Sequence, residues 1–297
     1  MTIQQFQQQD HLYDGKPAHL FAFGLGYSAL ALVDELSARG WACGGTVRAA
    51  QKAEALSGSK LTAQVFNTAE AVRLPDGAHW LISVPPGPDG CPIFAKFSDK
   101  ARAAATITYL STTGVYGDLQ GGWAFEWTQP APTSKRASRR RVAEQQWESV
   151  GVPFRTVRLP GIYGPGRSVF DRLRKGTARA IAKDGQVFSR VHVDDIASGL
   201  AAMMMRPEAT GVFHLCDDAA VAPHVVTEYA ADLLGVAAPK RVAFEDAELG
   251  EMGRSFYAEC KRVSNARAKS ALGWFPKYRS YKEGLAAILA AEGKSPS

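Results

Sequence analysis

The sequence predicts an α/β protein with a doubly wound parallel sheet and a smaller lobe towards its C-terminus. Three observations support this fold class. Short apolar runs alternate with helical patterns in the first half of the chain, a glycine-rich turn follows the first run, and short strands with Gly/Pro-rich loops take over after Gly164. Strands separated by helices imply right-handed parallel crossovers, and hence a sheet with helices on both faces.

The predicted sheet begins with residues 18–23, a nearly continuous apolar run of the kind that is buried on both faces. A helix follows over about residues 28–39 and ends at Gly40. The later elements repeat this alternation. The further predicted strands are residues 42–47, 62–66, 80–84, 106–110 and 154–159, with helices near 53–56, 93–105 and 138–150 between them and helices 195–205, 225–234, 265–272 and 282–291 in the second half.

The composition is that of a globular protein. The 297 residues are 46% hydrophobic and 22% charged, which excludes disordered, collagen-like and disulfide-scaffold proteins. The four cysteines form no Cys-x-x-Cys pair, so neither a zinc ribbon nor a redox dithiol is expected and no metal site is predicted. No run of 18 apolar residues and no secretory signal pattern occurs, which predicts a cytoplasmic protein without a membrane partner.

The net charge of +6 permits a nucleic acid, a membrane surface or a small anion as partner. The positions of the charges must decide among these classes.

The most specific motif is the G-x-G-x-x-A sequence of residues 24–29 (GLGYSA), which lies between the first predicted strand and helix. In this context Gly24 permits a tight turn, Gly26 lets a pyrophosphate approach the backbone, and Ala29 lets the helix pack on the strand. The helix start, with Tyr27 and Ser28, supplies free N–H groups and a positive dipole end. The motif predicts a Rossmann fold that binds a dinucleotide; the alternative is a glycine-rich structural turn.

The second predicted strand indicates which dinucleotide is bound. An acidic residue about 20 positions after the glycines would bind the adenosine ribose hydroxyls, but the chain has Arg48 there. An arginine can form charge-assisted bonds to a 2′-phosphate, so NADP is favoured over NAD, with Lys52 adding to the same pocket. The alternative is that Arg48 is a solvated loop residue. Ser83, Val84 and Pro85, at the end of the fourth strand, are predicted to form a wall of the cofactor site.

With these motifs the chain resembles the extended short-chain dehydrogenase/reductases, of the NAD-dependent epimerase/dehydratase type. The similarity covers about residues 18–290 and rests on family motifs as well as on the glycine loop. The matching segments are residues 111–117 (STTGVYG), 158–166 (RLPGIYGPG), 190–197 (RVHVDDIA) and 271–274 (ALGW). The resemblance implies cofactor contacts at Pro160, Gly161 and Ile162.

The resemblance also implies a catalytic Ser/Thr, a tyrosine and a lysine, of which the tyrosine moves a proton while the cofactor moves a hydride. Thr112 matches the Ser/Thr position, although a threonine is also common in plain strands. Counting back from Glu144 places Arg136 at the tyrosine position and Arg140 at the lysine position. The chain therefore resembles an atypical member that lacks the Tyr-x-x-x-Lys motif.

Arg136 and Arg140 are four residues apart and share one helix face, the face that the family turns towards nicotinamide and substrate. Arg140 can bond the cofactor ribose, and two guanidinium groups suit a carboxylate or phosphate on the substrate. The alternative is a solvated basic helix start. Tyr116 or Tyr163 is a candidate replacement for the missing acid, and packing is the alternative for each. His192 is interpreted as structural rather than as a general base.

Two classes of function follow. The first is an NADP-dependent oxidoreductase or epimerase-like enzyme with an altered acid and a small, anionic substrate. The second is an NADP-binding sensor or interaction protein without turnover. A nucleic-acid partner is disfavoured because the basic helix start lies where the ligand cleft is expected.

The organisation expected from these motifs is a polar extension at residues 1–16, an NAD(P)-binding domain at 17–165 and a substrate lobe at 166–297. Some segments of the lobe are expected to return to the first domain. The resemblance makes a homodimer an expectation.

Overall fold

The computed structural model of the protein describes residues 18–67 and 72–293, so the extension expected at residues 1–16 lies outside the described residues. The strands in the described ranges are β1 (His19–Phe23), β2 (Ala42–Val47), β3 (Thr62–Val65), β4 (His79–Ile82), β5 (Thr106–Thr112), β6 (Trp123–Ala124), β7 (Phe154–Leu159), β8 (Gly161–Tyr163), β9 (Ala180–Ala182), β10 (Arg190–His192), β11 (Gly211–His214), β12 (Arg241–Ala243) and β13 (Arg262–Val263). The helices there are α1 (Tyr27–Ser37), α2 (Ala50–Leu56), α3 (Pro92–Phe97), α4 (Lys135–Glu148), α5 (Val169–Arg174), α6 (Val193–Met204), α7 (Pro223–Leu234), α8 (Glu251–Phe256), α9 (Ala266–Leu272) and α10 (Tyr281–Glu292).

The central sheet has seven strands within these ranges, in the order β11-β7-β5-β4-β1-β2-β3, and every neighbouring pair is parallel. The order reverses between β1 and β4, which is the switch point at which open α/β sheets bind ligands beyond the carboxyl ends of their strands. The predicted doubly wound α/β class is confirmed.

Helices cover both faces of the sheet, and successive side chains of each strand point to opposite faces, so both sets are buried. Leu20 of β1 packs in the core beneath α1 and α6, whereas Phe21 packs in a second core beneath α3 and α4. Trp80 and Trp147 lie edge to face in this second core, with ring centroids 6.4 Å apart. The continuous apolar character of residues 18–23 thus reflects burial on both faces.

The largest difference from the predicted elements concerns the helix expected at residues 93–105. The observed helix α3 ends at Phe97, and a 3₁₀ turn follows over Lys100–Ala103. The chain tightens here because Ala101 N donates to Ser98 O, three residues back, rather than to a carbonyl four residues back.

Some of the residues after 166 join the main sheet and its core, and others form a separate apolar cluster. The strand β11 pairs with β7 at the edge of the main sheet, and α6 packs in the same core as α1. A separate apolar cluster joins α5, α7 and α10 around Phe170, Val226 and Leu285. None of the helices in the described ranges is long and apolar enough to cross a bilayer.

Candidate functional site

The glycine-rich turn lies at the switch point of the sheet and needs a glycine at its first position. Gly24 has φ +93°, and a Cβ there would lie 2.9 Å from Val84 Cγ1. Ser83 Oγ donates to Gly24 O at 2.7 Å. Two of the predicted wall residues, Ser83 and Val84, therefore contact the turn, and Pro85 follows them in the chain.

The same turn is held by the end of β2. Gly24 N donates to Thr46 Oγ1 at 3.0 Å, and Leu25 N donates to Thr46 O at 2.8 Å. These bonds place the end of β2 beside the turn. The sequence analysis did not predict this role for Thr46, although a threonine near the end of β2 was a visible signal.

The start of α1 offers unpaired backbone donors. Gly26 is the N-cap and carries no side chain, and the first bond of the helix runs from Leu30 N to Gly26 O at 2.9 Å. The N–H groups of Tyr27, Ser28 and Ala29 therefore have no acceptor within the helix. A Cβ on Gly26 would meet no protein atom within 4 Å. This open, positive helix end fits an anionic group that approaches the backbone.

Two cations adjoin the turn. Arg48 directly follows β2, is exposed, and forms no hydrogen bond or ion pair with any residue that the structure describes. Lys52 lies on α2, and its Nζ donates to Leu25 O at 3.1 Å. Both side chains are thus near the end of β2, where sequence analysis predicted a phosphate pocket.

Thr112 and the residues 160–162 lie at the same carboxyl edge of the sheet. Thr112 ends β5, and its Oγ1 accepts a hydrogen bond from Gly114 N at 3.1 Å, which caps the following 3₁₀ turn. Pro160 leaves β7, while Gly161 and Ile162 form β8 and pair with β10. The structure brings these residues to the switch-point side of the molecule.

Arg136 and Arg140 lie on the first turns of α4 but have different surroundings. Arg136 is exposed, and its guanidinium lies 6.0 Å from the centre of the Phe256 ring. Arg140 instead turns to the sheet, where Nη1 donates to Leu110 O at 2.7 Å and to Tyr109 Oη at 3.3 Å. The guanidinium at the expected lysine position is therefore bound to the protein's own strand β5.

A buried polar network lies behind these arginines. Arg158 forms a two-pronged pair with Glu144, with Nε and Nη2 at 3.0 and 2.7 Å from the two carboxylate oxygens. Ser111 Oγ also donates to Glu144, at 2.5 Å. Glu144 and Arg158 are at most 2% exposed, so the pair is shielded from water.

Tyr116 belongs to this network. Its hydroxyl accepts from Arg158 Nη1 at 2.8 Å and lies 2.6 Å from His214 Nε2. His214 Nδ1 lies 2.9 Å from Ser264 O, which places the proton on Nδ1 and leaves Nε2 to accept the proton of Tyr116. Burial raises the pKa of Tyr116 to about 12 and lowers the pKa of His214 to about 4. Tyr116 is shielded from any ligand in the cleft, so its predicted role as substitute acid loses support.

Tyr163, the other candidate acid, is also buried. Its hydroxyl donates to Ser280 O at 3.4 Å, and burial raises its pKa above the usual range. His192 is the N-cap of α6 and accepts from Asp194 N at Nδ1, 3.2 Å away. Burial lowers the pKa of His192. A cap on a helix is a structural role, which agrees with the interpretation from the sequence.

Two literal Tyr-x-x-x-Lys sequences occur, Tyr257 to Lys261 and Tyr278 to Lys282, and neither lies on α4. Lys261 Nζ pairs with Glu259 at 2.6 Å. Tyr278 Oη donates to Asp194 at 3.3 Å, and Lys282 Nζ lies over the ring of Tyr229. The described residues contain no group of three or more His, Cys, Asp or Glu side chains arranged to hold a metal ion.

The strand order, the glycine turn and the motifs at the carboxyl edge define a protein with the fold of the extended short-chain dehydrogenase/reductases. Comparison with solved structures confirms this fold. A dTDP-glucose 4,6-dehydratase from Bacillus anthracis, solved with NAD, has a TM-score of 0.71 at 15% identity, covering 94% of this chain and 97% of that one. The human epimerase family protein SDR39U1, solved with NADPH, has a TM-score of 0.68 at 15% identity, covering 92% and 99%.

The chain belongs to the same family as a conserved protein of unknown function from Silicibacter pomeroyi, which is 45% identical with a TM-score of 0.88 over 92% of this chain and 99% of that one. Protein YeeZ of Escherichia coli K12 is 26% identical over 236 residues, which are 73% of this chain and 84% of YeeZ. A 3-diazoavenalumate denitrifying reductase from a Streptomyces species is 31% identical over 137 residues, 43% of this chain and 45% of the reductase. No protein-family profile matches the chain.

Proposed function

We propose that the protein binds NADP(H) at the glycine turn and is an oxidoreductase or epimerase-like enzyme that acts on a small anionic substrate. The observation that carries the cofactor assignment is the junction of the turn with β2. Thr46 bonds to both Gly24 and Leu25, and Arg48, two residues beyond it, forms no hydrogen bond or ion pair with the described residues. A free guanidinium at this position suits a 2′-phosphate.

Other contacts support the same cofactor. The open space beside Gly26 and the free N–H groups at the start of α1 suit the pyrophosphate. Lys52 brings a second cation to the turn. Structures of the same fold were solved with NAD or with NADPH, and a sequence relative is named a reductase, which supports a nicotinamide cofactor here.

The anionic substrate is proposed from the start of α4. Arg136 is exposed at the position of the family's tyrosine and has an aromatic ring, not a carboxylate, as its neighbour. Arg136 would bind a carboxylate or phosphate of the substrate, and Thr112 would orient a substrate oxygen. The partner is then a small molecule rather than a nucleic acid. The cytoplasmic location and the homodimer stay predictions.

The second candidate is an NADP-binding sensor or interaction protein without turnover. Arginine at both family positions favours it, because a guanidinium stays protonated and is a poor acid. The buried hydroxyls of Tyr116 and Tyr163 favour it as well.

The cofactor proposal is tested by measuring the dissociation constants of NADPH and NADH by fluorescence titration. The parent protein should prefer NADPH, and R48E should weaken NADPH binding about tenfold or more while NADH binding changes little. The matched control is R102E. Arg102 is exposed on the 3₁₀ turn that precedes β5, at the amino ends of the strands and away from the glycine turn. Equal affinities of the parent protein for the two nucleotides would defeat the NADP assignment.

The two functional classes are separated by hydride exchange. Purified protein is incubated with NADPH and a panel of carbonyl compounds that includes keto acids and phosphorylated sugars, and oxidation of NADPH is followed. Turnover that R136Q reduces supports the enzyme. Tight NADPH binding with no turnover across the panel supports the sensor.

A further inference from the structure

The loop after β8 reaches the start of α1 and is fixed there. Tyr27 Oη donates to Pro165 O at 2.9 Å, across 138 residues of sequence. The loop is a tight turn in which Arg167 N donates to Gly164 O at 3.0 Å. A Cβ on Gly164 would collide with Tyr27 Oη, so the loop backbone lies directly against the tyrosine.

This loop carries an exposed cation to the same place. The Arg167 guanidinium carbon lies 5.8 Å from the centre of the Tyr27 ring. Within the part of the chain that the structure describes, the guanidinium forms no hydrogen bond and no ion pair. Its five N–H groups are therefore free to bind a ligand.

Within the described residues, neither of the two acidic groups near Tyr27 forms an ion pair with Arg167. Asp171 accepts from Ser168 N at 3.2 Å in the cap of α5, and Asp194 accepts from Tyr278 Oη at 3.3 Å. Burial raises the pKa of Tyr27 to about 12, and the charge of Arg167 opposes this rise while Asp194 and Asp171 add to it. The charge of Arg167 thus acts on Tyr27, while its guanidinium N–H groups remain unbonded within the described residues.

Tyr27 is the first residue of α1, an 11-residue helix with free donors at its start. Because the Arg167 guanidinium lies over the Tyr27 ring, its N–H donors are close to the backbone donors of the helix start. NADP carries two anionic groups, the pyrophosphate and the 2′-phosphate. Arg48 and Lys52 adjoin the end of β2, whereas Arg167 adjoins the helix start, where the pyrophosphate binds in this fold class.

We infer that Arg167 binds the cofactor pyrophosphate, and that Tyr27 positions it for this contact by a cation–π contact and by its bond to Pro165. The inference rests on the proposed binding of a nicotinamide dinucleotide. The planar guanidinium can donate two parallel bonds to phosphate oxygens, which a lysine cannot do.

Two probes separate this contact from that of Arg48. NADPH carries both the pyrophosphate and the 2′-phosphate, whereas adenosine 2′-monophosphate carries the 2′-phosphate alone. We expect R167Q to weaken NADPH binding about tenfold or more and to change the affinity for adenosine 2′-monophosphate less than about twofold. R48E should weaken both probes, and R167K should lie between R167Q and the parent for NADPH.

R102Q is the matched control and should bind both probes as the parent does. Thermal unfolding of each variant shows whether the fold is intact. If R167Q does not fold, the affinities of the conservative variant R167K are compared with those of the parent. The inference would be overturned if R167Q bound NADPH as tightly as the parent does. It would also be overturned if R167Q lost affinity equally for NADPH and for adenosine 2′-monophosphate. Failure of the parent protein to bind either NADPH or NADH would overturn the proposed function as well, so the two failures are distinguishable.

Discussion

The two ends of the candidate site use their arginines differently. At the glycine turn, Arg48 and Arg167 form no hydrogen bond or ion pair with the described residues, and the helix start has free donors. On the side of α4, Arg140 is bound to Leu110 O and Arg158 is bound to Glu144. The first end keeps its polar groups for a ligand, whereas much of the second end stabilises the protein.

The glycine turn thus offers more unused hydrogen-bond donors to a ligand than the α4 side does. A binding site is recognised by donors that the protein leaves unused. At the second end, Arg136 retains this property among the residues considered for the site. Of the two arginines at the positions expected for the family's tyrosine and lysine, Arg136 is exposed and Arg140 is bound to β5.

The largest expected effect tests whether the second end is structural. E144A leaves the guanidinium of Arg158 buried without its carboxylate and should lower the free energy of unfolding by about 3–5 kcal/mol. Urea denaturation followed by tryptophan fluorescence measures this loss. E148A, an exposed change on the same helix, is the control and should alter stability by less than about 0.5 kcal/mol. A similar small loss for both variants would contradict a stabilising network.

The two glycines of the turn sharpen the comparison at the first end. G24A forces a positive φ on alanine and a contact with Val84, so it should lower stability by about 1–3 kcal/mol as well as NADPH affinity. G26A has φ −99°, and its Cβ would have no tertiary neighbour within 4 Å among the described residues, so stability should fall by less than about 1 kcal/mol while NADPH affinity falls about tenfold. Unfolding curves and titrations of the pair check this contrast, and tight NADPH binding by G26A would contradict a ligand approach at Gly26.

Asp217 offers a buried carboxyl that lacks the partners of Glu144. It is 4% exposed, and its Oδ2 has no hydrogen-bond partner among the described residues. Burial raises its pKa to about 7, although the charge of Arg190 opposes the shift and Asp218 adds to it. The folded state therefore holds a proton that the unfolded state, with a pKa near 3.8, releases at lower pH.

Stability should consequently fall by about 1–3 kcal/mol as the pH rises from about 4 to about 7. D217N cannot ionise and should remove this part of the pH dependence, as measured by urea denaturation at a series of pH values. D232N, an exposed change on α7, should keep the parental slope. An unchanged slope in D217N would show that Asp217 is ionised throughout this range.

The smallest expected effects compare the two arginines of α4 directly. R140Q loses the bond to Leu110 O and should cost about 1 kcal/mol of stability, whereas R136Q should cost less than about 0.5 kcal/mol. Neither change should alter the affinity for adenosine 2′-monophosphate, because both residues lie away from β2. Thermal unfolding and titration measure the four values. A larger loss of stability in R136Q than in R140Q would contradict the assignment of Arg140 as structural and of Arg136 as free to bind a ligand.

Much of the fold was accessible from the sequence. The strands at 42–47 and 154–159 have the predicted bounds. The second lies between Pro153 and Pro160, and a proline cannot donate a hydrogen bond to a sheet. The helix at 93–105 was predicted too long, since its composition does not reveal that Ala101 bonds three residues back. Helix ends depend on which carbonyl is in reach, and this is weakly encoded in local sequence.

The sequence by itself determined the doubly wound sheet, the glycine turn and the absence of the Tyr-x-x-x-Lys motif from α4, because these are properties of periodicity and of adjacent residues. The tertiary structure decided which charged groups remain free. Tyr116 meets His214 across 98 residues, and Tyr27 meets Pro165 across 138. Such contacts arise from the packing of distant elements, and no local pattern distinguishes a bound arginine such as Arg140 from a free one such as Arg167.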